Sequence, residues 1–148
     1  MWNYGLLLKG IAQADPDRPA QIFGDITFSW GDFYQRSNAL SADLVSSGLE
    51  RGAKVAQYLF NGPEYLETMF AAFLSSYVPV NTNYRYGPDE ILYLFTNADA
   101  EAVVFHAAFI DVIEKVRERL PLVKRWYMVA DETGNELPSW AVSYEEIV

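Results

Sequence analysis

No cysteine occurs in the 148 residues. That removes both a disulfide framework and a Cys-ligated zinc site, and it suits a reducing compartment. A single histidine, His106, rules out a two-His metal centre, so no metal site is expected. The nine glycines are scattered, and none builds a Walker-type or dinucleotide-type phosphate loop. A Gly-x-Ser-x-Gly nucleophile elbow is also missing. Positive charge is scarce, with 11 basic against 20 acidic residues and a formal net charge of -9. Such a chain repels phosphate backbones and has no basic stripe to offset that, so nucleic acid is not an expected partner. Apolar runs break well short of the roughly 20 residues that span a bilayer. The start lacks the basic segment of a secretory signal. A soluble, cytoplasmic protein without a transmembrane segment is expected.

What remains is an apolar and ring-rich chain, 51% hydrophobic and 16% aromatic. Its length is that of one domain, enough to bury roughly 68–70% of the unfolded surface. The rings fit a packed core, and they fit equally the wall of an apolar ligand tunnel. Composition alone does not choose between these.

Hydrophobic spacing places a short opening helix over Tyr4–Ala14, stopped by Asp15 and Pro16. Two strand-like pieces between Gln21 and Phe28 flank Gly24 and Asp25, the signature of a β-hairpin. Ser29, with Asp32 three residues on, caps a helix that carries Phe33, Leu40 and Leu44 on one face and ends at Gly48. Residues 54–60 then read as a strand, 63–76 as a helix and Val78–Asn81 as a strand. A helix over Pro88–Asn97, a strand over 102–105, a helix over 107–120 and a strand over 126–129 complete the series. Short apolar strands alternating with helices indicate βαβ units. The expectation is an α/β fold: a mostly parallel sheet with flanking helices over residues 20–130, preceded by the hairpin. Residues 131–148 are expected to be a loop and the start of a helix, opened by the capping pattern Ser143-Tyr-Glu-Glu146. A helix that starts there and stops has the look of a cut sequence. The helix from Pro63 is apolar almost all round, which calls for a second covering surface.

Few residues offer chemistry. His106 follows a strand end, where ligands of open α/β sheets bind; a structural or solvent-facing role is favoured over ligand contact. Asn83, Tyr84 and Arg85 also follow a strand end. A guanidinium there can grip a carboxylate or phosphate, while the favoured reading has these side chains serving local backbone groups. Glu64 and Glu67 stand one helical turn apart and read as a solvated helix edge.

Taken in order, several pieces resemble the start of the adenylate-forming (AMP-binding) family, which includes fatty-acyl-CoA synthetases, coumarate ligases and luciferases. They are Pro19-Ala20, the hairpin ending in Thr27-Phe28, Asn38-Ala-Leu40, Gly48-Leu-Glu-Arg-Gly52, Lys54-Val-Ala56, Asn61 with Glu64, and Val78-Pro-Val-Asn81. Tyr84-Arg85, Asp89-Glu-Ile91, Tyr93-Leu94 and Asp99-Ala100 complete the run. The stretch from Val78 to Arg85 looks most like bacterial fatty-acyl-CoA synthetases, long-chain fatty acid–CoA ligases.

The resemblance implies a two-step ligase. An acid and ATP, with Mg²⁺, give an acyl-adenylate and pyrophosphate, and CoA then displaces AMP. It implies that this chain covers most of the first of two sheet subdomains of a larger N-terminal domain. The family's phosphate loop, adenine and ribose motifs and catalytic lysine have no counterpart here, so the chain alone is expected to be inactive and no catalytic residue is carried over. ATP, Mg²⁺ and CoA belong to the full-length parent. Asn83, Tyr84 and Arg85 are the candidate substrate or CoA contacts. Two departures stand out: Gly52-Ala53 where the family has Gly-Asp, and Ser76-Tyr77 where it has a small pair. The alternative function is a non-enzymatic lipid-binding or self-association module derived from that family. Either way a homodimer or larger oligomer is expected from an uncovered apolar face.

Overall fold

A computed structural model describes residues 3–148. Helix α1 (Tyr4–Ala14) leads into a hairpin of β1 (Pro19–Phe23) and β2 (Ile26–Ser29), followed by α2 (Trp30–Ser46). The α/β series is β3 (Lys54–Tyr58), α3 (Pro63–Leu74), β4 (Val78–Asn81), α4 (Pro88–Asn97), β5 (Ala100–His106), α5 (Ile110–Val116), β6 (Arg125–Val129) and β7 (Val142–Ser143). The hairpin is a separate antiparallel pair, and the main sheet has the order β4-β3-β5-β6-β7 with every pair parallel. The α/β class, the parallel sheet and the preceding hairpin are as the sequence spacing indicates.

Local chemistry explains the element ends. Gly24 at φ 57° makes the hairpin turn. Ser29 and Asp32 form a reciprocal capping box on α2. Gly48, at φ 78°, closes the same helix in the left-handed conformation.

Helices cover both faces of the sheet. On one face Leu40, Leu44, Ala71 and Ala72 pack on Val55, Val104 and Tyr127. On the other, Ile91, Phe95, Ile113 and Val116 pack on Tyr58, Val103 and Phe105. Alternate residues of the central strands thus feed two cores, which is why β3, β5 and β6 read as near-continuous apolar runs.

The all-round apolar α3 finds its second surface in its own chain. Phe33 of α2 lies edge-on to Phe70 at 5.3 Å, and Tyr4 of α1 meets Phe73 at 5.3 Å. Asn3 joins the cap to the docking: its side-chain oxygen caps α1 by accepting from the Gly5 N–H at 2.7 Å, and its Nδ2 donates to the Phe73 carbonyl of α3 at 2.8 Å.

Three expectations need correction. No helix opens at Ser143. Val142 and Ser143 instead add a fifth parallel strand beside β6, and residues 144–147 form one turn in which the Ile147 and Val148 N–H groups donate to the Tyr144 carbonyl. Tertiary pairing with β6 overrides the local capping signal. The helix expected over residues 107–120 is a short α5 with a 3₁₀ turn at each end. Its start is held by the loop after β6, where the Asp131 carboxylate accepts from the Ala108 N–H and Asn135 Nδ2 donates to the Ala107 carbonyl. The third correction concerns Glu67 and is taken up with the site.

Tyr77, the departure from the small pair, is buried where β4 begins, and its hydroxyl donates to the Leu49 carbonyl at 2.8 Å. That is the amino edge of the sheet, opposite the edge where α/β folds bind ligands, so the ring thickens the α2-side core and leaves the ligand edge untouched. Removing only the hydroxyl, in Tyr77→Phe, is expected to cost about 1 kcal/mol, read by urea unfolding with an unchanged m-value.

Candidate functional site at the carboxyl edge of the sheet

Neighbouring strands whose following helices go to opposite faces leave a crevice between their carboxyl ends. Here β3 leads into α3 on one face, and β5 leads towards α5 on the other. The crevice therefore opens between Phe60 and His106. The two are joined: the Phe60 N–H donates to Nδ1 of His106 at 3.1 Å. An accepting Nδ1 requires the neutral ring with its proton on Nε2. Burial pushes the His106 pKa down, partly opposed by the negative charge of Asp131. His106 is thus a buried structural pin between two strand ends.

Rings pack around these strand ends. Tyr58 stacks on Phe109 at 4.1 Å, Phe60 meets Phe109 at 4.7 Å, and Tyr84 lies 5.4 Å from Phe60. The Tyr58 hydroxyl donates to the Tyr86 carbonyl at 2.6 Å, tying the loop after β4 to the sheet.

The three candidate contacts divide by role. Asn83 serves the backbone: its side chain accepts the Arg85 N–H at 3.0 Å, and its carbonyl accepts the Tyr86 N–H at 3.0 Å. Tyr84 is partly exposed, and the Arg85 guanidinium lies 5.5 Å from its ring centre. Arg85 forms no ion pair among the described residues, which leaves its donor fork available. The loop thus places one exposed cation over one exposed ring beside the crevice.

Glu64 and Glu67 are not a solvated edge. Glu67 is fully buried; its carboxylate pairs with Arg36 Nε at 2.8 Å and accepts from the Tyr144 hydroxyl at 2.7 Å. Glu64 is half-buried, and burial raises its pKa, with the charges of Glu67 and Glu145 adding to the shift. Arg36 and Tyr144 lie 31 and 77 positions from Glu67, so no local spacing could reveal them.

The His106 shift has a definite sign. With the folded pKa below the ordinary imidazole value of about 6.5, the unfolded chain binds more protons, so stability is full above that pH and falls as pH drops towards the folded value. Glu64, shifted upward, acts in the opposite sense at lower pH. Asp131 is held low, its burial outweighed by hydrogen bonds from Thr133 and Ala108, and acts only in more acid solution. Unfolding at pH 7 and pH 5.5 is expected to show a loss in the native protein that His106→Gln reduces.

A sequence profile of AMP-binding enzymes matches residues 8–146. The chain belongs to the AMP-binding enzyme family. It is 38% identical to the medium-chain acyl-CoA ligase Mig of Mycobacterium avium, over 93% of this chain and 28% of that protein. It is 31% identical to a 3-oxocholest-4-en-26-oate–CoA ligase of Rhodococcus rhodochrous, over 97% of this chain and 26% of that one. The chain therefore spans between a quarter and a third of these relatives. Among solved structures, acetoacetyl-CoA synthetase from Streptomyces lividans superposes with a TM-score of 0.90 at 20% identity, covering 98% of this chain and 24% of that one. A fatty acyl-CoA synthetase from Mycobacterium tuberculosis superposes with a TM-score of 0.79 at 21% identity, covering 85% of this chain and 26% of that one. Those likenesses establish the shared fold. As an AMP-binding enzyme sheet, the chain presents the crevice, the Tyr84–Arg85 pair and the Asp131 loop on one edge.

Proposed function

We propose that this chain is the N-terminal sheet scaffold of an ATP-dependent fatty-acyl-CoA ligase, working in the cytoplasm, and that it does not activate an acid by itself. The observation that carries this is 38% identity over nearly the whole chain to an acyl-CoA ligase. The full reaction joins a fatty acid to CoA while ATP becomes AMP and pyrophosphate. ATP supplies the leaving group that activates the acid, and Mg²⁺ would screen its phosphates. Among the described residues no group of three or more acidic or His side chains is placed to hold a metal ion. The metal is thus not assigned to this chain. What the chain contributes is shape and one cation. The crevice between β3 and β5 forms a ring-lined wall, and Arg85, steadied over Tyr84, offers two parallel donors to a carboxylate or to a phosphate of CoA. Asn83 holds the Arg85 backbone in place for that contact.

The test is an assay of the purified chain with ATP, Mg²⁺, a medium-chain fatty acid and CoA. No AMP above background is expected, and steady AMP formation would contradict the reading. In a full-length ligase that carries this segment, Arg85→Gln is expected to weaken CoA binding by about tenfold, the effect of one lost charge-assisted contact, measured by calorimetry.

A second reading is favoured by one observation. The hairpin leaves Ile22 74% exposed, Phe23 51% and Ile26 54%, an apolar surface that drives association. On this reading the chain is a self-association module. Light scattering that shows a dimer abolished by Ile22→Lys supports it, and a monomer at all concentrations removes it.

A further inference from the structure

Among the described residues Glu67 is the one acidic side chain that is buried, and the ligand edge makes no use of it. A carboxylate inside a helix interface is costly to desolvate, and an apolar residue of similar size would pack there at no such cost. Retained buried ion networks are best understood by what arrangement they select. This one joins three segments far apart in sequence. Arg36 comes from α2, Glu67 from α3, and Tyr144 and Glu145 from the turn after β7. Arg36 gives Nε to Glu67 at 2.8 Å and its two terminal nitrogens to Glu145 at 3.2 and 3.0 Å. Tyr144 closes the circuit on the second oxygen of Glu67 at 2.7 Å. The guanidinium charge is held firmly: burial works against it, but the hydrogen bonds to Glu145 and Glu67 outweigh that. Burial, reinforced by Glu67, raises the Tyr144 pKa, so its hydroxyl remains a donor.

The segment held by this circuit has few backbone anchors. Strand β7 has two residues and a single pairing neighbour. It follows an irregular stretch, residues 130–141, whose Trp140 packs on Phe105 and Trp126. Its backbone anchor beyond β7 is the Tyr144 N–H to the Met128 carbonyl at 2.9 Å. The fully buried Tyr144 ring and the partly buried Ile147 and Val148 then rest on the α2–α3 core. Because β7 runs parallel to β6, this turn leaves at the carboxyl edge, where Tyr144 reaches Glu67 in the second turn of α3.

We infer that Arg36, Glu67 and Tyr144 form a buried ionic clamp that sets the position of residues 142–148 against the carboxyl edge, with Glu67 as its positioning residue. The use of that edge rests on the ligase reading above, whereas the clamp itself is a property of this chain. Glu67 touches no substrate. It acts through Tyr144 on one carboxylate oxygen, while Arg36 Nε donates to the other.

Residue-resolved amide exchange on the 148-residue chain tests the clamp without reference to any ligase activity. In Tyr144→Phe the ring remains and one charge-assisted hydrogen bond is lost. The Tyr144, Ile147 and Val148 amides should exchange about tenfold faster or more. Amides of β3 and β5 should change by less than about twofold, since a local opening leaves the core closed. Glu67→Gln should give the same local pattern, and Glu145→Gln, which removes only the half-exposed leg, a smaller one. A uniform rise across all strands would make the network a general stabiliser and overturn the inference. Unchanged exchange at the turn would overturn it too. Equal effects from Glu145→Gln and Glu67→Gln would move the positioning role to the exposed ion pair. The failure of any of these leaves the ligase reading standing, because that reading is judged by nucleotide chemistry.

Discussion

Phe105→Ala is expected to cost about 3–5 kcal/mol, the range for deleting a large buried ring. Phe105 lies on β5, the middle strand of the five, and is fully buried. Its ring stacks on Trp140 at 5.8 Å and lies edge-on to Trp126 at 6.4 Å. Those two indoles also meet each other at 5.8 Å, so the removed ring is one member of a closed triad. Alanine leaves a void between the sheet and the loop that carries Trp140, and β5 is paired on both sides and cannot move in to fill it. Tryptophan fluorescence reports the same change, because two of the four tryptophans flank the void. The measurement is chemical unfolding followed at both indole emission and far-UV ellipticity. A loss below about 1 kcal/mol would mean that the sheet and the 131–141 loop are not packed as described.

Gly5→Leu is expected to release α1 from the body. A β-carbon at Gly5 would lie 2.8 Å from the backbone N and Cα of Leu74, closer than atoms pack, and backbone cannot step aside as a flexible side chain can. The helix must therefore shift off α3, which exposes Leu8 and Ala12 and breaks the Asn3 bond to the Phe73 carbonyl. The cost is about 1–3 kcal/mol, the usual range for overpacking. The consequence is local: limited proteolysis should cut within residues 4–14 of the variant at protease levels that leave the native chain whole. Gly10→Leu is the control, since a side chain there meets nothing within 4 Å. Equal resistance of the two variants would contradict the docking of α1.

The parts of this fold legible in the sequence are those set by short-range chemistry. The hairpin showed in Gly24, the α2 cap in Ser29 and Asp32, and the α/β rhythm in apolar runs spaced by Pro63 and Pro88. The parts that escaped depend on partners distant in the chain. Strand β7 is two residues long, too short for any period, and exists because β6 offers it an edge. Glu67 looked solvated because its neighbours in sequence are helical, while Arg36 and Tyr144 reach it only once α2, α3 and the last turn are packed. At the ligand edge the loop of Asn83 and Arg85 was visible as a candidate, but which side chain faces the backbone and which faces outward needed the fold. His106 was placed correctly at a strand end; its bond to Phe60 joins residues 46 positions apart and left no local trace.

The most direct test of the scaffold claim exchanges this chain for the matching segment of the Mycobacterium avium ligase. Fatty-acyl-CoA formation by the purified chimera is then compared with that of the parent. If the chain is the ligase sheet, activity should stay within about tenfold, a change of about 1.4 kcal/mol in the barrier, and Arg85→Gln in the chimera should raise the KM for CoA. A chimera with native ellipticity and cooperative unfolding that forms no acyl-CoA would contradict the account.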